Sequence, residues 1–268
     1  MILQKATDLS YLPKRIISLV PSQTELLSDL GLEAETIGIT KFCVHPSSWF
    51  KTKERVGGTK TIHIDKVQQL QPDLIIANKE ENVKEQIGQL ALHYPVWVTD
   101  VNNLEDALQM ITDIGTLTGK VEPASSLIEK IKTAFDTLPI IDPQDAAHKP
   151  LRTAYLIWRK PYMTIGGDTF INDMLLKCGF ENIFADMTRY PEVSIPELQT
   201  TNCQSTGGCA LLLLSSEPYP FKQKHIDELR SFLPNTKIIL VDGEFFSWYG
   251  SRLLKAPEYF TELINSIR

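Results

Sequence analysis

The sequence contains no run of about 18 consecutive apolar residues, so it predicts no membrane-spanning helix. Its basic residues are scattered, and a formal net charge of −6 at pH 7 argues against a nucleic-acid-binding protein. The N-terminal residues MILQKATDLSYLPKR lack the apolar core and the small-residue cleavage site of a secretory signal. These absences predict a globular cytoplasmic protein, or a mature-like chain whose export signal is missing.

Recognised catalytic motifs are also missing. There is no Walker A loop, no GxGxxG after the first predicted strand, no GxSxG turn and no HExxH helix. The histidines are far apart and show no metal-ligand spacing, so they predict no metal site: His45, His63, His93, His148 and His225. The cysteines form no CxxC pair, and we expect reduced, buried thiols although spacing alone assigns no pairing: Cys43, Cys178, Cys203 and Cys209.

The longest helical pattern runs from Asn103 to Leu138. Its apolar residues recur at spacings of three and four, which is typical of an amphipathic helix. Gly119 and Pro123 mark a break, because proline is tolerated only in the opening turn of a helix. The pattern therefore predicts two helices, 104–118 and 121–138, and we expect the second to connect two lobes as a rigid strut.

On both sides of this run, short β-rich segments alternate with helical ones, which indicates βαβ units and parallel sheets. The predicted strands are 15–20, 36–40, 73–78, 95–100, 152–158, 182–184, 210–216 and 237–243. The predicted helices outside the central run begin near 22 or lie within 64–71, 80–94, 166–179, 221–233 and 257–267. Two capping boxes are predicted, in which a serine caps a helix and a glutamate three residues later reaches back: Ser22 with Glu25, and Ser194 with Glu197.

The two halves look like diverged copies of one unit. The offset that carries Arg15 onto Arg152 also carries Ile75 onto Leu212, each within a similar segment. The predicted fold class is therefore α/β: two similar α/β lobes with parallel sheets, joined by a single long backbone helix, with a ligand cleft between the lobes. The predicted domains are an N-terminal lobe at 14–101, connecting helices at 102–141 and a C-terminal lobe at 150–268.

Aromatic residues in loops are the positive functional signal. They are Phe42, Trp49 and Phe50 in the long loop at 41–63, and Trp158, Tyr162, Phe245, Phe246, Trp248 and Tyr249 in the second half. Ligands of open α/β sheets bind outside the carboxyl ends of the strands, and aromatic faces can hold a large flat ligand by stacking. The alternative, that these rings belong to the cores of the lobes, stays open at this point.

Two polar residues have alternative roles. His45 is either a ligand to a metal or cofactor, or a hydrogen-bonded loop residue. Arg252 suits a carboxylate or phosphate of a ligand, and equally a structural ion pair. The glycine pairs at 57–58 and 166–167 are most simply turns, although glycine also allows close approach of the backbone to a ligand.

Several segments, taken together and in order, match one known family. They are RIISLVPSQTELL (15–27), GITKFCVHP (38–46), RVGGTK (55–60), LQPDLIIA (70–77), GGDTFINDMLLKCGFENIF (166–184), LLSSEPYPF (213–221) and SWYGSRL (247–253). They resemble the periplasmic substrate-binding proteins of the cobalamin and ferric-siderophore ABC importers. The Cys-Val-His-Pro loop and the Ser-Trp-Tyr-Gly stretch are most similar to the cobalamin-binding branch. The resemblance implies two α/β lobes bridged by a backbone helix, a ligand held between them, and binding without catalysis.

The resemblance also implies a periplasmic location and an ABC permease as partner. Members of the family dock to the permease through one acidic residue on each lobe. By motif, these positions fall near Lys84 and Pro196, neither of them acidic, so the adjacent Glu85 and Glu197 are the candidate docking residues.

We therefore predict a monomeric binding protein for a metal chelate, with a cobalamin-like corrinoid preferred over a ferric siderophore or haem, and with no intrinsic cofactor. One wall of the cleft is expected to contain Phe42, His45 and Trp49, and the other Trp158, Tyr162, Trp248, Tyr249 and Arg252. One alternative is a cytoplasmic carrier of a corrinoid or metal chelate that has lost transporter docking. Another is a chelatase-like enzyme, for which His45 and Glu244 are the starting points.

Overall fold

A computed structural model describes residues 1–138, 150–200 and 209–267 of the chain. The chain divides into two compact units. The first consists of Met1–Val101, Glu105–Ala134 and Trp248–Leu254, and the second of Asn102–Leu104, Phe135–Ser247 and Lys255–Arg268. These units differ from the predicted domains, because the first also contains most of the connecting helices and a short segment from the C-terminal part of the chain.

The first unit is built on a five-stranded parallel sheet. Its strands are β1 (Ile16–Ser18), β2 (Thr36–Ile39), β3 (Glu54–Arg55), β4 (Leu74–Asn78) and β5 (Val96–Thr99), in the order β3-β2-β1-β4-β5. Every residue of β4 is buried, as expected for an apolar run in a parallel sheet that is covered on both faces. Ile2 bridges to Val96 and so covers the outer edge of β5, which would otherwise expose unpaired backbone groups.

The helices of the first unit are α1 (Pro21–Asp29), α2 (Ser47–Thr52), α3 (Ile64–Leu70), α4 (Lys84–Ala91), α5 (Leu104–Thr118) and α6 (Val121–Phe135). The predicted break between α5 and α6 is confirmed: Gly119 adopts a φ of +69°, which favours glycine. The tight turn brings α6 so close to Gly115 that a Cβ atom there would lie 2.6 Å from Ala124 Cβ. α6 ends at Phe135, before the predicted end, and there the chain passes into the second unit.

The second unit has its own parallel sheet of four strands. The strands of this unit are β6 (Leu151–Leu156), β7 (Tyr162–Met163), β8 (Phe180–Asn182), β9 (Glu192–Val193), β10 (Leu211–Ser215) and β11 (Lys237–Val241). The parallel order is β11-β10-β6-β8, while β7 and β9 form a small antiparallel pair. Its helices are α7 (Phe170–Lys177), α8 (Ile195–Thr200), α9 (Gln223–Arg230), α10 (Glu244–Ser247) and α11 (Ala256–Ile267).

Two α/β units with parallel sheets confirm the predicted fold class, but some predicted elements are wrong. The strand predicted at 182–184 is instead β8 at Phe180–Asn182. Ile183 and Phe184, which follow this strand, pack in the hydrophobic core of the second unit. The segment 41–63, predicted as one long loop, contains α2 and β3. The helix predicted at 80–94 is shorter, because residues 79–82 form a turn before α4.

Three of the four cysteines lie within the described residues. Cys43, Cys178 and Cys209 are free and buried, and burial raises the pKa of the Cys209 thiol to about 11. These three therefore agree with the prediction of reduced, buried thiols, while Cys203 lies outside the described residues. Within the part of the chain that the structure covers, no helix is long and apolar enough to cross a membrane.

Candidate functional site

The loop after β2 presents apolar side chains at the carboxyl edge of the first sheet, where ligands of open α/β sheets bind. Cys43 anchors this loop, because its buried Sγ atom accepts a hydrogen bond from Oγ1 of Thr24 at 3.1 Å. With Cys43 turned inward, its sequence neighbours Phe42 and Val44 are exposed, and Phe42 retains 50% of its accessible surface. The loop therefore offers an apolar surface that the core does not use.

Phe42 lies beside the turn after β3. A Cβ atom at Gly58 would lie 3.1 Å from the Phe42 ring, so the turn leaves little room for a larger residue there. Nζ of Lys41 lies 5.1 Å from the centroid of the same ring, within the range of a cation–π contact. The Phe42 ring thus lies close to Lys41 of its own loop and to the turn after β3.

His45 contacts a residue from the other end of the sequence. Its ring is edge-on to Trp248, with the centroids 5.5 Å apart. Cζ of Arg252 lies 4.7 Å from the Trp248 ring centroid, and the guanidinium also forms an ion pair with Glu25 of α1. The structure therefore favours the ion-pair alternative for Arg252. It also corrects the predicted wall, since the segment Trp248–Leu254 belongs to the same unit as His45.

Trp49 and Tyr249 are less suited to contact a ligand. Trp49 lies in α2 and is only 1% exposed. Nζ of Lys53 lies 5.2 Å from the centroid of its ring. Tyr249 is buried as well. The burial of Trp49 favours the alternative in which this ring belongs to the core and corrects its placement on a binding wall.

A polar network that the sequence analysis missed joins the carboxyl ends of the central strands. Nδ2 of Asn78 donates to the backbone carbonyl and to Oγ1 of Thr99, both at 3.1 Å. Oδ1 of Asn82 accepts from the backbone N–H of Asn78 at 2.8 Å, and its Nδ2 donates to the carbonyls of Leu19 and Thr59. The sequence does contain a signal for this network: the motif N-x-x-x-N, formed by Asn78 and Asn82, begins at the last residue of a predicted buried strand.

In the second unit, aromatic side chains cluster where β6 and β10 end. Trp158 is exposed, and its ring is edge-on to Tyr219 with the centroids 5.7 Å apart. Nη2 of Arg159 donates to both carboxylate oxygens of Glu228 at 2.8 and 2.6 Å, and the Tyr162 hydroxyl donates to the same carboxylate at 3.3 Å. The predicted residues Trp158 and Tyr162 therefore share one edge of this sheet.

The glycine pair at 166–167 is explained by packing within the second unit. A Cβ atom on Gly166 would collide with the carbonyl oxygen of Met187, and one on Gly167 with that of Ala185. Both glycines also donate backbone hydrogen bonds to the segment 187–189. These glycines allow a neighbouring loop to approach, which accounts for them without a ligand.

The two candidate docking residues are both exposed but differ in their surroundings. Glu85 lies in the first turn of α4. Glu197 belongs to the predicted capping box, which is confirmed, because its Oε2 accepts from the backbone N–H and the hydroxyl of Ser194 at 2.7 and 2.6 Å. These hydrogen bonds lower the pKa of the Glu197 carboxyl.

The chelatase alternative named His45 and Glu244 as starting points for a general base or a metal ligand. His45 belongs to the first unit, whereas Glu244 begins α10 of the second. Among the residues that the structure describes, no group of three or more His, Cys, Asp or Glu side chains is arranged to hold a metal ion.

Comparisons with known proteins show which family the chain resembles along most of its length. Residues 16–204 match the family described as Periplasmic binding protein. The chain is 27% identical over 259 residues to a vitamin B12-binding protein of Yersinia pestis, covering 95% of this chain and 87% of the relative. It is similar to the solved periplasmic vitamin B12 binding protein BtuF of Vibrio cholerae, with a TM-score of 0.74 and 21% identity over 95% of this chain and 98% of that chain. It is also similar to the periplasmic haem-binding protein RhuT from Roseiflexus sp. RS-1, with a TM-score of 0.77 and 18% identity over 95% and 97% of the two chains.

Proposed function

The chain belongs to the periplasmic binding protein family, and on that premise we propose that it is the substrate-binding component of an ABC-type importer of a metal chelate. Membership confirms the resemblance found in the sequence segments. Because the family and the similar proteins are binding proteins, the expectation of binding without catalysis is confirmed as well. The chelatase alternative loses its support.

A cobalamin-like corrinoid is the ligand that we favour. The observation that carries this choice is the vitamin B12-binding relative, which is similar along 95% of the chain. Haem is the second candidate, because the chain shares its fold with a haem-binding protein, and a ferric siderophore is the third. In each case the chelate is transported cargo, not a cofactor of the protein.

The surfaces of the two units suit a large, flat and mainly apolar ligand. Phe42 and Val44 are exposed apolar side chains on the first unit, and Trp158 beside Tyr162 offers aromatic surface on the second. Affinity for such a ligand comes mainly from buried apolar area, with a few polar groups that set its orientation. We retain Phe42, His45, Trp158 and Tyr162 as proposed ligand contacts, and assign Trp248, Tyr249 and Arg252 the role of supporting them.

The partner in this proposal is an ABC permease, which would dock on Glu85 of the first unit and Glu197 of the second. A periplasmic location follows from the same proposal, as does a monomeric state, since a binding site formed within one chain requires no second copy. The cytoplasmic carrier without transporter docking remains the alternative for the same ligand. Finding the gene beside permease and ATPase genes would favour the importer.

The test is a titration of the purified protein with hydroxocobalamin, followed by gel filtration and a visible spectrum of the protein peak. We expect the corrinoid band to travel with the protein at one equivalent per chain. Haemin and a ferric siderophore, run in parallel, decide between the candidate ligands. If no chelate travels with the protein, the proposed function is wrong.

A further inference from the structure

The turn after β4 places Glu81 at the carboxyl edge of the first sheet. Oδ1 of Asn78, the last residue of β4, accepts hydrogen bonds from the backbone N–H groups of Glu80 and Glu81 at 2.8 and 3.0 Å. The same Asn78 side chain is bonded to Thr99 at the end of β5. The backbone of Glu81 is therefore held by the sheet itself, independently of any contact of its own side chain.

The turn that carries Glu81 lies near the exposed apolar loop, because Nδ2 of Asn82 donates to the carbonyl of Thr59, which follows the Gly58 position beside the Phe42 ring. Coulombic repulsion from its carboxylate contributes to the raised pKa of the buried Cys43 thiol, for which burial is the main cause. Cys43 is flanked in sequence by Phe42 and Val44, the exposed residues proposed to contact the ligand. An acidic group and an apolar surface thus share one edge of the first unit.

The Glu81 carboxylate is half-buried and unpaired. Among the residues that the structure describes, none forms a hydrogen bond or ion pair with it. Burial raises its pKa, an effect that the nearby Lys60 opposes and Glu80 reinforces. Because no described residue donates to this half-buried carboxylate, it is suited to accept hydrogen bonds from a partner outside the chain.

The cations at the same edge are already engaged. Nζ of Lys60 donates to the backbone carbonyl of Glu80, and Lys79 forms a salt bridge with Asp100 at 2.5 Å. Nζ of Lys41 lies over the Phe42 ring. Among the residues that the structure describes, Lys60 partly offsets the negative charge of Glu81 but forms no ion pair with it, so this carboxylate can still accept hydrogen bonds from a ligand.

This arrangement selects among chelates by their peripheral groups. A ligand that covers Glu81 removes water from its carboxylate, which is costly unless the ligand donates hydrogen bonds to it. Carboxamide N–H groups supply such bonds, whereas peripheral carboxylates bring like charges together. We propose that Glu81 contacts the chelate and favours chelates with peripheral carboxamides over those with peripheral carboxylates. This inference rests on the proposed function.

The test compares two corrinoids that share a ring and differ in their peripheral groups: cobinamide, which carries carboxamides, and cobyrinic acid, which carries carboxylic acids. Both affinities are measured at neutral pH for the wild type, for Glu81→Gln and for Glu81→Asp. We expect the wild type to prefer cobinamide, and Glu81→Gln to reduce that preference about tenfold, equivalent to about 1.4 kcal/mol. Glu81→Asp keeps the charge and should keep most of the preference.

The matched control is Glu33→Gln, which makes the same chemical change at an exposed position before β2, at the opposite edge of the same sheet. It should leave the ratio of the two affinities at the wild-type value. If the wild type binds cobinamide and the two glutamine variants give the same ratio, the role of Glu81 is refuted while the proposed function stands. If the wild type binds no chelate, including haemin and a ferric siderophore, the proposed function fails and this inference fails with it.

Discussion

Arg252 and Glu25 lie 227 positions apart in the sequence and form a bidentate ion pair within the first unit. Nε of Arg252 donates to Oε2 of Glu25 at 2.9 Å, and Nη2 donates to Oε1 at 2.8 Å. The two side chains are only 13% and 20% exposed. Because the same guanidinium lies over Trp248, this pair ties α1 to the ring that contacts His45.

We expect Arg252→Ala to lower the free energy of unfolding by about 2–3 kcal/mol, because it leaves the mostly buried carboxylate of Glu25 without its donors. Arg252→Lys should recover only part of this loss, since an ammonium group cannot form the bidentate pair. Denaturant unfolding followed by circular dichroism measures both. The exposed Arg230→Ala is the control and should change stability by no more than about 0.5 kcal/mol. Equal losses at Arg252 and Arg230 would contradict a structural role for the pair.

Trp49 provides a second test, because its burial argues for a role in the core. We expect Trp49→Ala to lower the free energy of unfolding by about 3–5 kcal/mol, the range for removing a buried aromatic side chain. Trp49→Phe should fold and bind the chelate with wild-type affinity. Unfolding and chelate titration on the same preparations separate the two roles. A large loss of chelate affinity in a stably folded Trp49→Phe variant would show instead that Trp49 contributes to ligand binding.

The two predicted capping boxes show how far local patterns predict structure here. The motif S-x-x-E occurs at 22–25 and at 194–197, yet only the second forms a capping box. In the first, Pro21 occupies the first position of α1, so Ser22 falls inside the helix and cannot cap it. Glu25 is then available for Arg252, a partner that no local pattern reveals.

The alternation of strands and helices is a local signal and predicts most elements to within a few residues. The placement of Trp248 is different, because residues 244–247 just before it belong to the second unit while Trp248 belongs to the first. That assignment depends on tertiary contacts, such as those of Trp248 with His45 and of Arg252 with Glu25. Similarly, the Asn78 side chain accepts hydrogen bonds from the N–H groups of residues 80 and 81, so α4 begins at Lys84 and not at the predicted residue 80.

Phe42→Ala tests the proposed binding surface of the first unit. Because this ring is 50% exposed, we expect the variant to keep its stability to within about 1 kcal/mol. Loss of the apolar contact should weaken chelate affinity about tenfold or more. Leu92→Ala is the matched control, since Leu92 is 79% exposed at the far end of α4 and should not affect affinity. Chelate affinity is measured by visible titration. If it is unchanged in Phe42→Ala, this ring does not contact the ligand.

We expect His225 to make the stability of the second unit depend on pH. Burial and the nearby cations Lys224 and Arg159 lower the pKa of its imidazole below its usual value. Nδ1 of His225 accepts a hydrogen bond from the backbone N–H of Lys222 at 2.9 Å, which only a neutral ring can do. The folded state therefore binds a proton at this ring less readily than the unfolded state.

It follows that His225 contributes stability that is fully present above its unfolded pKa of about 6.5 and is lost as pH falls through the lower folded pKa. We expect the free energy of unfolding to decrease from about pH 8 to about pH 5, and to decrease less in His225→Gln, whose amide oxygen can still accept from Lys222. The exposed His63→Gln controls for the loss of a histidine and should follow the wild type. Parallel pH profiles for His225→Gln and His63→Gln would show that the buried ring does not set this dependence.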